Sequence, residues 1–218
     1  MNKIFKLMLC ILTLSTFALA DFTQSQKVKT SLNILNDFGV SKNKKFKGIT
    51  GIAIIPSMVK SGFIISGHDG KGIFVARNDD NEWSAPIFVD YKGVGFGAQA
   101  GYKSVDLILL FKSSRSWAGL VDGKGSIDIT ADAVILGAGE KSGVSTDLPE
   151  ISAWVLERGK AKGVFLGVSI NTSMMVVNNQ DTNDYYERIY DIADIYHNSP
   201  KDSRYTQKLK EVLNKYFE

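Results

Sequence analysis

A histidine beside a carboxylate is a common arrangement for moving a proton, and this chain has one, His68-Asp69, with Ser61, Ser66 and Ser84 nearby in sequence. These are residue types a hydrolase uses. A serine nucleophile, however, needs its base within hydrogen-bond reach and a third group to orient that base, and nothing in the spacing supplies the geometry. No nucleophile elbow is present, and the second histidine, His197, lies in a different element, so no metal-binding histidine pair forms. A hydrolase using His68-Asp69 therefore stands only as an alternative. Gly95-Phe96-Gly97-Ala98-Gln99-Ala100 satisfies the short dinucleotide pattern G-x-G-x-x-A. That pattern must lead into a helix, but Val105 to Phe111 reads as a strand, and no acidic residue follows at the end of a second strand. The expectation is no enzyme, no cofactor and no metal. What remains are contact residues: Lys27, Lys29, Lys42, Lys44, Lys45 and Lys47, with Phe38 and Trp83 as apolar partners.

The elements that must carry them follow from periodicity. Of 218 residues, 44% are hydrophobic and 22% charged, a globular composition. Lys3 and Lys6, the apolar run from Leu7 to Leu19 and Ala18-Leu19-Ala20 read as a signal peptide over 1–20. The single cysteine, Cys10, lies inside that run behind Leu9, where a lipobox wants a small residue, so lipoprotein anchoring is not expected. Removing the leader takes away two of the 26 basic residues and none of the 23 acidic ones. The near-balance argues against a nucleic-acid partner. It also leaves no cysteine for a disulfide framework and no run of about 20 apolar residues for a transmembrane span.

Residues 21–218 then read as one domain. Val28, Leu32, Leu35 and Phe38 recur at helical spacing and predict an N-terminal helix over 24–38. A β-rich core occupies 48–178. It opens with a short strand, Gly51 to Pro56, stopped by proline. Three units of glycine-bearing strand, polar turn and apolar strand follow, with turns at His68 to Gly72, Tyr102 to Ser104 and Asn171 to Ser173. Glycine inside a strand costs roughly 0.5–1 kcal/mol relative to alanine and is tolerated where a sheet bends or another backbone comes close. Gly62, Gly67, Gly72, Gly95, Gly97, Gly101, Gly163 and Gly167, with Pro56 and Pro86, are the structural positions on this reading. A short helix around Trp117, strands at Ser126 to Gly139 and Ile151 to Leu156, and helices over 184–217 complete the chain. The fold class is α+β: a strongly curved, Gly-rich antiparallel β-sheet or barrel-like sheet with flanking N- and C-terminal helices.

Several pieces of this core, in this order, resemble the SYLF domain: Gly51-Ile52-Ala53-Ile54-Ile55-Pro56, Lys60-Ser61-Gly62-Phe63, Gly70-Lys71-Gly72, Trp83-Ser84-Ala85-Pro86, the strand ending Gln99-Ala100-Gly101 with Asp106 and the apolar run after it, Ala131-Asp132-Ala133, Gly163 to Ser169, and Tyr185-Tyr186. The match spans roughly residues 25 to 190. The resemblance implies phospholipid association without catalysis, through a basic amphipathic N-terminal helix. Here that helix carries only Lys27 and Lys29, with most positive charge displaced to Lys42, Lys44, Lys45 and Lys47.

The expectation for function is an exported SYLF-like protein, periplasmic or envelope-associated, that rests on anionic phospholipid through its N-terminal segment. An envelope protein is a further partner, and neither actin nor nucleic acid is expected. The alternatives are the exported hydrolase, a periplasmic scaffold or protein-interaction module, and a carrier of a hydrophobic ligand in the curved sheet.

Overall fold

Along the strands Gly51–Gly62, Ile65–Ala76, Ile87–Phe96, Gly101–Phe111 and Ile151–Glu157 alternate residues fall into two separate buried clusters, one on each face of the sheet. A computed structural model describes residues 23–42, 45–62, 65–96, 101–129, 133–136, 150–157 and 172–218. The segment 1–20 expected as a signal peptide, with Cys10, and Lys44, Gly97, Gly163 and Gly167 lie outside those residues. The chain runs α1 (Gln24–Lys42), β1 (Gly51–Gly62), β2 (Ile65–Ala76), β3 (Ile87–Phe96), β4 (Gly101–Phe111), a 3₁₀ turn (Ser114–Ser116), α2 (Ala118–Val121), β5 (Ser126–Ile129), β6 (Ala133–Leu136), β7 (Ile151–Glu157), β8 (Thr172–Val177), α3 (Asn179–Tyr186), α4 (Ile192–Tyr196) and α5 (Arg204–Tyr216).

The strands form one sheet in the order β5-β8-β3-β2-β1-β4-β7-β6. All neighbours are antiparallel except the parallel pair β6 and β7. The sheet curls strongly. Ile129 at one end and Ile151, Ala153 and Val155 near the other share a single apolar cluster with Ala53, Phe74, Val89 and Leu107. Covalent reach demands the same: β5 and β6 occupy opposite edges of the sheet, yet the four Cα steps from Ile129 to Ala133 span at most about 15 Å. The convex face carries the second cluster. Val28, Leu35 and Phe38 of α1 and Leu209 and Leu213 of α5 pack there on Ile52, Ile54, Ile73, Ile108, Leu110 and Trp154. The curved, Gly-rich sheet between flanking helices is the expected fold class.

Local details differ from the expectation in instructive ways. Pro56 does not stop β1. The strand continues to Gly62, and its register against both β2 and β4 shifts around Pro56-Ser57. A proline lacks the N–H a central strand must donate, so it is accommodated at a bulge. Ser57 takes the left-handed φ of 52°, and its N–H donates to Asp106 Oδ1 at 2.8 Å. The buried carboxylate of Asp106 thus satisfies the bulge. Residues 68–72 are not a turn either; β2 runs straight through them, paired with β3 from Ile65↔Phe96 to Phe74↔Ile87. A Cβ at Gly72 would sit 2.1 Å from the Ile54 carbonyl oxygen, so the close approach of the bulged β1 explains that glycine. β3 and β4 follow one another but do not pair, because β1 and β2 lie between them.

The spacing of Tyr185, Ile189, Ile192 and Ile195 predicts one helical stripe, and the structure breaks it. Glu187 at φ 53° ends α3, and Ile189 is 81% exposed. By contrast, the α5 stripe docks as its spacing requires, with Leu209, Leu213 and Tyr216 buried.

Candidate functional site

The N-terminal helix is a structural part of the fold. Its apolar residues Val28, Leu32, Leu35 and Phe38 are buried, and Phe38 packs its ring against Phe46 and, edge-on, Trp154. Gly39 lets α5 come close: a Cβ there would lie 2.4 Å from the Tyr216 ring. Lys27 is 5% exposed, and its ammonium donates to Asp181 Oδ2 at 2.8 Å. Asp181 lies in the first turn of α3, whose N-cap Asn178 accepts the Asp181 N–H, where the helix dipole favours a carboxylate. Lys42 stands 4.8 Å from the Trp154 ring centre. Lys45 pairs with Glu218, whose carboxyl is held below its usual range by that hydrogen bond. Among the described members of the basic set, Lys29, Lys45 and Lys47 are exposed. Of the expected contact residues, Lys27 and Phe38 are therefore spent inside the fold, on Asp181 and on the sheet, while Lys29, Lys45 and Lys47 stay on the surface.

Trp83 is buried as well, under the Arg77 guanidinium at 4.6 Å, and forms a lid over one end of the sheet. Arg77 also donates to the Phe217 carbonyl, and burial lowers its pKa. Tyr185 and Tyr186, adjacent in sequence, divide between the two cores. Tyr185 packs on the convex cluster with its hydroxyl against Ser203 and Thr206. Tyr186 packs on the concave one and donates to the Pro86 carbonyl at 2.7 Å. The pair ties both faces to one short helix.

His68 is 3% exposed and sits within β2 opposite Gly93, which in turn faces Ser173 on β8. Tyr91 donates to Ser173 Oγ at 2.8 Å, and burial pushes its phenol up to about 12. Ser84 donates to the Ala85 carbonyl and accepts the Ala76 N–H, so it closes a turn. These contacts build a polar strip in the sheet, not a nucleophile with its base. Among the described residues no group of three or more His, Cys, Asp or Glu is placed to hold a metal. Nor is any described helix long and apolar enough to cross a membrane. The described chain resumes after residues 97–100 in the strand β4, so the glycine pattern at Gly95 does not open a helix at Gly101.

The surface left for recognition lies elsewhere. Tyr91, Met175 and Ile129 point into the concave core, so their neighbours Lys92, Met174 and Asp128 point outward. The register aligns Asp69, Lys92, Met174 and Asp128 in one row across β2, β3, β8 and β5. They border a depression of about 370 Å³. Beside it a cleft of about 810 Å³ opens between α2, the turn into β5, β8 and α4. Met174 lines both. Sequence reasoning placed a strand over this stretch but did not single out Met174, Val94, Asp122 or Asp191. The alternation Met174-Met175-Val176-Val177 is apolar throughout and does not say which side is wet.

Comparison with known proteins gives this surface its context. A family model described as "Ysc84: Las17-binding protein actin regulator" matches residues 92–216. Protein YSC84 of Saccharomyces cerevisiae is 32% identical over 145 residues, 64% of this chain and 30% of that protein. The human SH3 domain-containing YSC84-like protein 1 is 29% identical over 175 residues, 77% of this chain and 49% of that protein. LAS seventeen-binding protein 3 of Saccharomyces cerevisiae is 30% identical over 145 residues, 64% of this chain and 31% of its own length. The chain thus spans between about a third and a half of these relatives. No solved structure matches. The exported, periplasmic placement with an envelope partner is overturned by these findings: the relatives are yeast and human proteins named for SH3 domains and for binding Las17, from cells without a two-membrane envelope. The hydrolase and carrier alternatives fall with it, and the exclusion of actin is reversed by the family's own description. The match covers more than half of the chain, and with the order of the SYLF-like segments it shows that this chain belongs to the Ysc84 family, the Las17-binding actin regulators.

Proposed function

We propose that this chain is a non-catalytic, actin-regulatory binding module. It engages actin, or a protein of the actin machinery, through its folded surface. The observation that carries this reading is the match to an actin-regulator family over residues 92–216. That stretch contains the end of β3 from Lys92 and all of β5 and β8, whose outward residues helices α1 and α5 leave open, together with the wall of the large cleft. The packing supports it: the concave face is filled by one apolar cluster, and the outward residues of β8 and β5 remain on the exterior for a partner.

The test is co-sedimentation of the full chain with filamentous actin, together with polymerisation kinetics of labelled actin. Saturable pelleting with the filament, or a dose-dependent change in polymerisation rate, is expected. A chain that stays in the supernatant at every actin concentration and leaves polymerisation unchanged refutes the reading.

A further inference from the structure

The cleft between α2, β5, β8 and α4 has a composition that specifies its occupant. Its apolar lining includes Leu120, Val121, Met174, Val176 and Ile192, and its size of about 810 Å³ falls in the range of clefts that take a ligand. Among the described residues the large exposed apolar side chains are Val40, Val94, Met174 and Ile189. Met174 lies in this cleft and Val94 in the depression it adjoins, while Ile189 stands two residues before the cleft residue Asp191. Exposed apolar groups gathered at one concave place mark an interaction site more than the same groups scattered singly.

Charge narrows the choice. The cleft and the adjoining depression are walled by four aspartates, Asp69, Asp122, Asp128 and Asp191, against Lys92 and Lys124. The chain as a whole carries +3, so this concavity is an acidic island on a basic protein. Tyr196 on α4 senses the same field: burial raises its pKa, and the charges of Asp79 and Asp122 raise it further. We propose that this acidic-walled apolar cleft is a docking site for a short basic amphipathic segment of a partner protein. Apolar side chains of the segment bury Met174, Val176 and Ile192, and its lysines or arginines meet Asp122 and Asp191. An anionic lipid surface would be repelled by these walls. A second copy docking face to face would set aspartates against aspartates, since a two-fold interface pairs a patch with itself. The inference goes beyond the actin reading and does not depend on it, because a peptide can dock whether or not filaments bind.

The experiment is fluorescence anisotropy of labelled decapeptides added to the full chain at low salt. One peptide alternates lysine with leucine, one alternates glutamate with leucine, and one is all lysine. The lysine–leucine peptide is expected to bind at least tenfold more tightly than either of the others. The double variant Asp122→Asn/Asp191→Asn should weaken it at least fivefold and flatten its salt dependence. The control pair Asp37→Asn/Asp184→Asn, on exposed positions of α1 and α3, should not. Met174→Lys should weaken binding with the fold intact by circular dichroism. Equal affinity for the lysine–leucine and glutamate–leucine peptides overturns the proposal. So does equal loss in the control pair, or a concentration-dependent dimer abolished by the same two aspartate changes. Actin co-sedimentation run in parallel separates failure here from failure of the functional reading.

Discussion

Replacing Lys27 with methionine separates a structural lysine from a surface one. The side chain is nearly volume-conserved, so the change removes charge more than packing. What it leaves is the Asp181 carboxylate, 10% exposed, with its partner at 2.8 Å gone. Removing one member of a buried ion pair costs about 3–5 kcal/mol, mostly as the penalty of the uncompensated charge. Asp181 keeps a long hydrogen bond from Gln24, at 3.3 Å, which places the expected loss at the low end, about 3 kcal/mol. For a chain of this size that is a drop in Tm of roughly 6–12 °C. Lys29, two residues on and exposed, has no such obligation, and Lys29→Met should stay within about 0.5 kcal/mol. The double variant Lys27→Met/Asp181→Leu removes both charges and should recover a large part of the loss. Urea unfolding followed by tryptophan fluorescence measures all three. If Lys27→Met and Lys29→Met fall together within error, the lysines form one solvated face and the docking of α1 through Asp181 is refuted.

Two further outcomes follow from the same packing. Gly72→Ala places a methyl 2.1 Å from the Ile54 carbonyl, whereas Gly67 has nothing within 4 Å of its virtual Cβ; in urea unfolding the first should cost about 1–3 kcal/mol and the second should be neutral or slightly stabilising. Tyr91 keeps its proton up to about 12 in the fold while an unfolded tyrosine loses it near 10. The unfolded state therefore binds fewer protons between those values, and stability falls as pH rises through that window, by roughly 2–3 kcal/mol for this group. Stability measured from pH 9 to 12 should fall less steeply in Tyr91→Phe than in wild type; identical slopes would show that Tyr91 ionises freely.

The fold was largely legible because it rests on periodic apolar residues. The α5 stripe Leu209, Leu213 and Tyr216 and the strand around Trp154 required no tertiary information. Turns were read less well. His68-Asp69-Gly70-Lys71-Gly72 has turn composition, yet it is strand, because Gly70 and Gly72 make room for the bulge of β1. A glycine selected for closeness to another backbone looks, in one dimension, like a glycine selected for a turn. Pro56 misleads for the same reason, since the bulge that accommodates it is held by Asp106, which accepts the Ser57 N–H and lies far along the chain. The N-terminal segment was legible as a helix, but not where its apolar face goes. An amphipathic helix with lysines is compatible with a lipid surface and with a protein core, and it takes the position of Asp181 to show that Lys27 belongs to the core. The recognition surface was hardest, because both Met174 and Met175 are apolar and only the order of strands turns one outward.

That strand order also explains why the exposed face lies where it does. The convex surface of β1, β2, β4 and β7 is covered by α1 and α5. The outward residues of β3, β8 and β5 are left bare beyond Phe88, where α3 ends its cover through Thr182 and Tyr185. A sheet this strongly curled cannot be roofed along its whole convex side by two straight helices, since the helices diverge from strands that turn away from them. The uncovered rows must then be made wettable, and the register does so with Asp69 opposite Lys92 and Lys71 opposite Asp90. Met174 and Val94 break that charged pattern. Solubility alone would favour polar residues at both positions, and exposed apolar side chains there are what a surface built to be covered by a partner presents.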